Sequence, residues 1–216
     1  KTTYIDPFPK LVGKDGRIHT SYLQTGTTTG RLASQNPNLQ NIPIKTELGR
    51  EFRKVFIAEK SYKLLSLDYS QLELRIVSDI AQDEKMISAF KKGIDIHAKT
   101  AAEVFDVPLE KVSSEMRRKA KALNFGIIYG MGPQGFARSA GITQSEAKKF
   151  IEKYFEEFPK VREYMDRMRA EAHDQGAVRT LFGRRRQFSE IYSSIQEAVR
   201  QAERVAINFP VQGMAA

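Results

Sequence analysis

Cysteine, long apolar runs and internal repeats are all missing from this 216-residue chain. Without cysteine, disulfides and thiolate metal sites are excluded, which fits a reducing compartment. No apolar run approaches the roughly 20 residues that a membrane span needs, and no signal peptide is visible, so we expect no membrane partner. Because the chain begins at Lys1 rather than Met, we expect it to be a piece of a longer protein.

The charge balance is basic. Lys and Arg number 35 against 26 Asp and Glu, which gives a formal net charge of +9. Such a balance favours a polyanionic partner, and nucleic acid is the commonest. Three consecutive arginines, Arg184, Arg185 and Arg186, are most simply a patch for the phosphate backbone, with salt-sensitive and sequence-independent affinity.

The order of the predicted elements indicates an α+β fold, with strands first and helices after them. Short strands are expected at residues 4–7, 17–20 and 52–57, each bounded by Gly or Pro. A buried strand is expected at 62–68, where it ends on Asp68. The pattern from there to about residue 175 is helical.

Local signals mark where the later elements begin and end. Helix stops and starts are expected at Gly93, at the capping box of Thr143 and Glu146, at Pro159 and at Gly176. A basic hairpin is expected over residues 178–186. The final helix should be capped by residues 193–196 and run to about Asn208, ending before Pro210.

Residues 117–130 are the most informative stretch for function. As a helix, this stretch places four side chains four residues apart on one slowly drifting face: Arg117, Lys121, Phe125 and Tyr129. Two cations followed by two aromatic rings suit a ligand with phosphates at one end and a flat base at the other, which is a nucleotide. The alternative is a solvated cationic face with both aromatic rings in the core. The nearby Gly126 and Gly130 favour the nucleotide interpretation, because glycines near a helix end suggest a close partner or a hinge.

Asp68 ends the predicted strand 62–68. A carboxylate at a strand end is well placed to hold a divalent cation, because the sheet backbone fixes its oxygens while the tip stays open to substrate. The alternative is that Asp68 only caps the helix that follows. Both interpretations fit the spacing.

Residues 130–135 satisfy G-x-G-x-x-G, the pattern of dinucleotide sites. That fingerprint needs a preceding strand and a βαβ unit, whereas this run follows a basic helix and contains Pro133. We therefore interpret it as a turn after the nucleotide-binding helix.

Five blocks together resemble the family A DNA polymerases, the bacterial DNA polymerase I type. The blocks are TGRL at 29–32, PNLQNIP at 37–43, DYSQLELR at 68–75, RRKAKALNFGIIYG at 117–130 and NFPVQG at 208–213. They occur in the order found in that family, and the resemblance spans essentially the whole chain. The blocks at 68–75 and 117–130 resemble its motifs A and B.

The resemblance implies an enzyme that adds dNTP to a primer 3′-hydroxyl on template DNA, with two Mg²⁺ ions. Asp68 would be one of two aspartates that hold the metal pair, helped by the backbone carbonyl of Tyr69. Glu73 would be the steric gate that excludes a ribose 2′-hydroxyl. The implied nucleotide-binding residues are Gln71, Glu73, His97, Arg117, Lys121, Phe125 and Tyr129, with Lys121 also catalytic. A lone histidine near a helix start is more often structural, so the role of His97 rests mainly on the resemblance.

Contacts with primer and template are implied for Arg31, Asn38, Asn41, Arg204, Asn208 and Gln212, besides the three consecutive arginines. Arg, Asn and Gln donors suffice to read the minor groove, because its acceptor pattern varies little between correct base pairs. The intact protein would be a monomer in the cytoplasm of a bacterial or phage-infected cell, associated with the nucleoid.

The resemblance also predicts a domain organisation. Residues 1–75 would begin the palm, 76–188 would form helical fingers that contain the nucleotide-binding helix 114–130, and 189–216 would begin the return of the palm. The third family motif, His-Asp-Glu, supplies the second aspartate and does not occur in this sequence. We therefore expect a DNA-directed DNA polymerase as the parent, negligible activity from this chain alone, and an exposed palm edge.

Two other functions compete with this one. A non-catalytic nucleic-acid-binding module is favoured by the missing second aspartate. A single-subunit RNA polymerase shares the aspartate and the basic helix, but it must admit a 2′-hydroxyl and would not keep the bulky carboxylate of Glu73.

Overall fold

The computed structural model describes residues 4–44 and 46–216. The chain divides into two compact units, residues 1–69 with Ala216 and residues 70–215. Helices dominate and the strands form small antiparallel pairs, so the predicted α+β class is confirmed. None of the helices in the described ranges is long and apolar enough to cross a membrane.

The first unit contains a short hairpin, one helix and an aromatic cluster. Strands β1 (Ser21–Leu23) and β2 (Ala33–Gln35) pair antiparallel. Helix α1 (Glu47–Arg53) begins at Thr46, whose side chain accepts a hydrogen bond from the Gly49 amide at 3.1 Å. The rings of the cluster lie 5.4 to 6.1 Å apart and belong to Tyr4, Phe8, Phe52 and Phe56.

The strands predicted in this unit do not form, and the predictions were wrong there. Residues 4–7 form a turn, and 17–20 contain only an isolated bridge from Ile18 to Val12. Residues 52 and 53 are the end of α1 and not the start of a strand. The rings of Phe52 and Phe56 pack into the aromatic cluster, which favours this arrangement.

The predicted buried strand 62–68 does not form either, and this prediction was also wrong. Leu64, Leu65 and Leu67 are 71%, 81% and 85% exposed, and the segment pairs with no strand in the part of the chain that the structure describes. A strand needs a neighbour for its backbone hydrogen bonds. Without that neighbour, apolar composition alone does not make a buried strand.

The second unit is helical, with one hairpin. Its helices are α2 (Leu72–Ala81), α3 (Glu84–Lys91), α4 (Ile96–Phe105), α5 (Ser114–Ile128), α6 (Pro133–Ala140), α7 (Gln144–Glu157), α8 (Pro159–Gln175) and α9 (Gln196–Met214). Strands β3 (Ala177–Arg179) and β4 (Arg185–Gln187) pair antiparallel and confirm the predicted hairpin. The local signals are confirmed at Gly93, at the capping box of Thr143 and Glu146, at Pro159 and at Gly176.

Two apolar cores hold this unit together. The larger core lies among the helices and completely buries Tyr154, Phe136 and Phe158. The smaller core lies beneath the hairpin and includes Val178 and Phe209. Burial of such side chains stabilises the fold by about 1.5–3 kcal/mol each, so this unit has the apolar packing to position a site.

Helix α9 differs from its predicted form at both ends. It begins at Gln196 with Ile195 as its cap, and Ser193 instead accepts a hydrogen bond from the Ile195 amide at 3.1 Å. It also continues through Pro210 to Met214. A proline inside a helix removes a hydrogen bond and costs about 3 kcal/mol. Phe209, Pro210 and Val211 are all buried here, and we attribute the continuation to that packing.

Candidate functional site

Helix α5 carries the predicted nucleotide-binding face. The Ser113 side chain caps its start, and Tyr129 and Gly130 end it, the latter with φ +65°. Along the face Lys121 is exposed, Phe125 is half-buried and Tyr129 is 41% exposed. Buried Leu123 and Ile127 hold the opposite side. Tyr129 is therefore not a core aromatic, and the alternative of two core rings fails at this position.

Arg117 is held by an aspartate at the start of the neighbouring helix. Its Nε and Nη2 donate to Asp95 Oδ2 at 2.9 and 2.6 Å. The other oxygen of Asp95 accepts from the amides of His97 and Ala98 and caps α4. Burial acts to raise the pKa of Asp95, but the hydrogen bonds from Arg117 and the helix amides outweigh it and hold the pKa below its usual range. Asp95 is thus an anion at neutral pH.

His97 lies beside this pair and is buried. Its Nδ1 is 3.1 Å from the Asn124 amide nitrogen, and Asn124 also bonds to Thr100. Its ring centroid is 5.7 Å from that of Phe125. Burial lowers the pKa of His97 to about 4. The amide nitrogen donates to Nδ1, so the neutral ring carries its proton on Nε2 and can act only as an uncharged donor.

Glu73 and Tyr129 join the start of α2 to the end of α5. The Tyr129 hydroxyl donates to Glu73 Oε2 at 2.9 Å. Gln71 immediately precedes α2 with φ +57°, a left-handed conformation that costs a non-glycine residue about 1 kcal/mol or more. Since Gln71 is the helix cap, Asp68 is not, and the capping alternative for Asp68 is wrong.

Helix α9 brings two of the predicted DNA-binding residues to the end of α5. The Asn208 amide donates to the Ile128 carbonyl at 3.4 Å. Arg204 packs on Gly130 so closely that a Cβ built there would lie 2.8 Å from Arg204 Cγ. The guanidinium of Arg204 donates to Glu197 and Gln201 at 2.9 and 2.6 Å, while Gln212 is half-buried farther along α9.

The three consecutive arginines differ in their surroundings. Arg184 and Arg185 are exposed. The Arg186 guanidinium instead lies 5.4 Å from the Phe188 ring centroid and 5.9 Å from that of Phe209. It therefore has a structural contact in addition to any role toward phosphate.

The remaining predicted residues lie in the first unit. Arg31, Asn38 and Asn41 are exposed. Asn38 accepts a hydrogen bond from the Gln40 amide at 3.0 Å, and the Asn41 carbonyl accepts one from Tyr4.

Asp95 and Asn124 are the two residues of the site that sequence reasoning missed. Asp95 had a detectable signal, because an aspartate directly before a helix is a common cap. Its pairing with Arg117 had no signal in the sequence, because the two residues are 22 positions apart. Asn124 shares this limitation, since its partners Thr100 and His97 are distant in sequence.

A model of DNA polymerase family A matches residues 1–216. The chain belongs to this family. It is 52% identical to DNA polymerase I of Pseudomonas aeruginosa and 48% identical to the thermostable DNA polymerase I of Thermus aquaticus, in each case over 100% of this chain. Those alignments cover 24% and 26% of the two relatives, so the chain spans about a quarter of their length.

A solved family A structure agrees with the fold. The POL domain of Pol1 from M. smegmatis, in complex with DNA primer-template and dNTP, matches with a TM-score of 0.88 at 42% identity. The match covers 97% of this chain and 37% of that chain. The resemblance stated from the sequence motifs is therefore confirmed.

Family A polymerases are generally metal-dependent, so the residues of this chain can be tested as ligands. Among the described residues, no group of three or more His, Asp or Glu side chains could hold a metal ion. Asp68 and Tyr69 are both exposed. One carboxylate and one carbonyl are too few donors for a pair of magnesium ions, which prefer octahedral oxygen sites. The residues of this family A chain therefore fit only part of such a metal centre.

Proposed function

We propose that this chain is the nucleotide-binding part of a template-directed DNA polymerase, which in the intact protein transfers dNTP to a primer 3′-hydroxyl. The single observation that carries the proposal is the exposed face of α5. It presents Lys121, Phe125 and Tyr129 in sequence, with Arg117 one turn before them. Cations followed by rings match the order of phosphates, sugar and base in one nucleotide.

The triphosphate is the proposed ligand of the two cations. Lys121 is exposed and forms no ion pair within the part of the chain that the structure describes, so its ammonium group can bind phosphate directly. Arg117 must first exchange its bond to Asp95 for one to phosphate. Such charge-assisted bonds hold the α-phosphate in line for attack, which is most of what a protein contributes to phosphoryl transfer.

The sugar and base are the proposed ligands of the other residues. Phe125 would lie against the sugar and base, and Tyr129 at the templating position. Because the Tyr129 hydroxyl holds Glu73, the carboxylate can fill the space of a ribose 2′-hydroxyl. Gln71 and neutral His97 would add uncharged contacts to the nucleotide.

Primer–template DNA is the proposed macromolecular partner. Arg204, Asn208 and Gln212 would contact the minor groove, and Arg184, Arg185 and Arg186 the phosphates. In the first unit, Arg31, Asn38 and Asn41 would serve the same partner. The bacterial relatives support a cytoplasmic parent. Its association with the nucleoid and its monomeric state are part of the proposal and follow from the family resemblance alone.

We assign residues 1–75 and 189–216 to the palm and 76–188 to the fingers. Asp68 and the Tyr69 carbonyl would be the contribution of this chain to a site for two Mg²⁺ ions, which needs further carboxylates. We therefore expect no primer extension by this chain alone. Primer extension by an intact parent should be abolished by Asp68→Ala, and Glu73→Ala should increase ribonucleotide incorporation.

Nucleotide binding by this chain tests the proposal directly. With mant-dATP and fluorescence anisotropy, Lys121→Ala should weaken binding about tenfold or more, because a charge-assisted contact is lost. Arg118→Ala is the matched control, since it removes one charge from the same helix but Arg118 pairs with Glu115 off the binding face. Equal losses from both variants would show that only bulk charge matters.

A non-catalytic nucleic-acid-binding module remains the second candidate, and the incomplete metal donor set is the observation that favours it. The two functions differ in the intact parent. If the parent binds primer–template but neither binds mant-dATP nor extends a primer, the binding module is correct.

A further inference from the structure

The tip of the hairpin formed by β3 and β4 exposes two large apolar side chains. Leu181 is 72% exposed and Phe182 is 80% exposed. They occupy the central positions of a turn in which the Gly183 amide donates to the Thr180 carbonyl at 2.9 Å. Gly183 has φ +83°, the left-handed conformation that lets the chain enter β4. The tip therefore presents Phe182 to solvent on a defined turn.

The base of the hairpin is fixed to the smaller core. Val178 is completely buried there and Thr180 is 4% exposed. The Thr180 hydroxyl accepts from the Arg184 amide at 3.1 Å, and the Thr180 amide donates to the Arg184 carbonyl at 2.9 Å. An aromatic ring on such a support loses little conformational entropy when a ligand covers it.

The segment that forms the hairpin carries charge of a single sign. Residues 175–189 contain Arg179, Arg184, Arg185 and Arg186 and no Asp or Glu. Arg184 and Arg185 are exposed and form no ion pair within the described part of the chain. An exposed ring followed within three residues by two exposed arginines is the composition of surfaces that stack bases and bind the phosphates of single strands.

We propose that Phe182 is a stacking site for an unpaired base of single-stranded DNA, with Arg184 and Arg185 bound to the phosphates on either side. The inference rests on the proposed function, since an unpaired template strand is the single strand that a DNA polymerase meets. Leu181 does not share this role, because it borders a cavity of about 380 Å³ beside Arg179 and Pro210. Phe182 is not among the residues that line that cavity.

The test uses the full chain and labelled oligothymidine of about ten nucleotides, with an abasic strand of equal length as the second ligand. Phe182→Ala should weaken binding of oligothymidine about fivefold or more and leave the abasic strand unchanged. Phe182→Tyr should restore binding, because it keeps the ring. Leu181→Ala is the matched control, and it should change neither affinity.

Salt dependence separates the ring from the arginines. Arg184→Ala should reduce the slope of log affinity against log salt by about 0.7, the effect of one phosphate contact on a single strand. Phe182→Ala should leave that slope unchanged. Thermal unfolding followed by circular dichroism should show equal midpoints for all variants, because the side chains of Leu181, Phe182 and Arg184 are all exposed.

The proposal is overturned if Phe182→Ala binds oligothymidine as well as the unmodified chain does, or weakens the abasic strand equally. It is also overturned if Leu181→Ala has the same effect, since the contact would then be merely apolar. The binding of mant-dATP by the same proteins shows whether a failure concerns only this inference or also the proposed function. If Phe182→Ala does not change DNA binding while mant-dATP still binds, only this inference is overturned. If the chain binds neither DNA nor mant-dATP, the proposed function is overturned as well.

Discussion

Acid should destabilise the second unit through His97. This side chain is 2% exposed and bonded to Asn124. Burial is the main cause that lowers its pKa to about 4; Asp95 opposes the shift, and the positive charges of Arg117 and Lys121 add to it. Unfolding would release the ring into water, where its pKa returns to about 6.5.

The size of the effect follows from these two pKa values. Well above pH 6.5 the ring is neutral in both states, so His97 does not lower the stability there. Between pH 6.5 and about 4 the unfolded state binds a proton that the folded state does not. The free energy of unfolding therefore decreases as the pH is lowered through this range. A gap of about 2.5 pH units at 1.36 kcal/mol each gives a loss of about 3 kcal/mol. That is a large share of the 5–15 kcal/mol typical of a domain.

Urea unfolding, followed by far-ultraviolet circular dichroism from about pH 7.5 to pH 4, measures this loss. His97→Gln is the comparison, because glutamine keeps a polar amide but does not titrate. All carboxylates and both other histidines are common to the two proteins, so the difference between their pH profiles isolates His97. If the two profiles run parallel over this range, the reasoning about burial and charge is refuted.

Three further substitutions test other contacts by thermal or urea unfolding. Gly130→Ala should cost at least 1–2 kcal/mol, because φ is +65° and the new Cβ would meet Arg204 at 2.8 Å. Gly132→Ala has open space and an ordinary φ of −83°, so it should cost only the preference for glycine over alanine at the N-cap of α6, less than about 1 kcal/mol. Equal effects of the two substitutions would contradict this view. Tyr154→Phe should stabilise by about 1 kcal/mol, because the buried hydroxyl has no hydrogen-bond partner among the described residues, and a clear loss of stability would reveal one. Thr143→Ala should cost about 1 kcal/mol through loss of the capping box, and no measurable change would rule out that contribution.

The helical unit could be read from the sequence because its signals are local. A capping box needs only Thr143 and Glu146, three residues apart, and a helix stop needs only Gly176. Each of these signals provides hydrogen bonds for the free backbone groups at a helix end, and the residues involved lie within one turn. The face of α5 was predictable for the same reason, since Lys121 and Phe125 are four residues apart on one helix.

The structure of the first unit could not be predicted from local sequence signals. Residues 52–57 and 62–68 have strand composition, yet a strand forms only where a second strand supplies hydrogen bonds. Pro210 shows the converse, since a local helix breaker lies inside α9 among buried side chains. In both cases partners distant in sequence decided the structure. The pairing of Arg117 with Asp95 belongs to the same class.

The Arg117–Asp95 pair also gives Arg117 and Lys121 different electrostatic effects on an approaching anion. Since the charge of Arg117 is neutralised at contact distance, it adds little to the field felt by an approaching anion. Lys121, which is exposed and forms no ion pair within the described residues, supplies the long-range attraction. Asp95 keeps its cap on α4 through its other oxygen when Arg117 leaves. A phosphate that binds as we propose would therefore exchange one anion for another at Arg117 without unwinding the helix that holds His97. This step would select ligands by contact geometry rather than by charge alone.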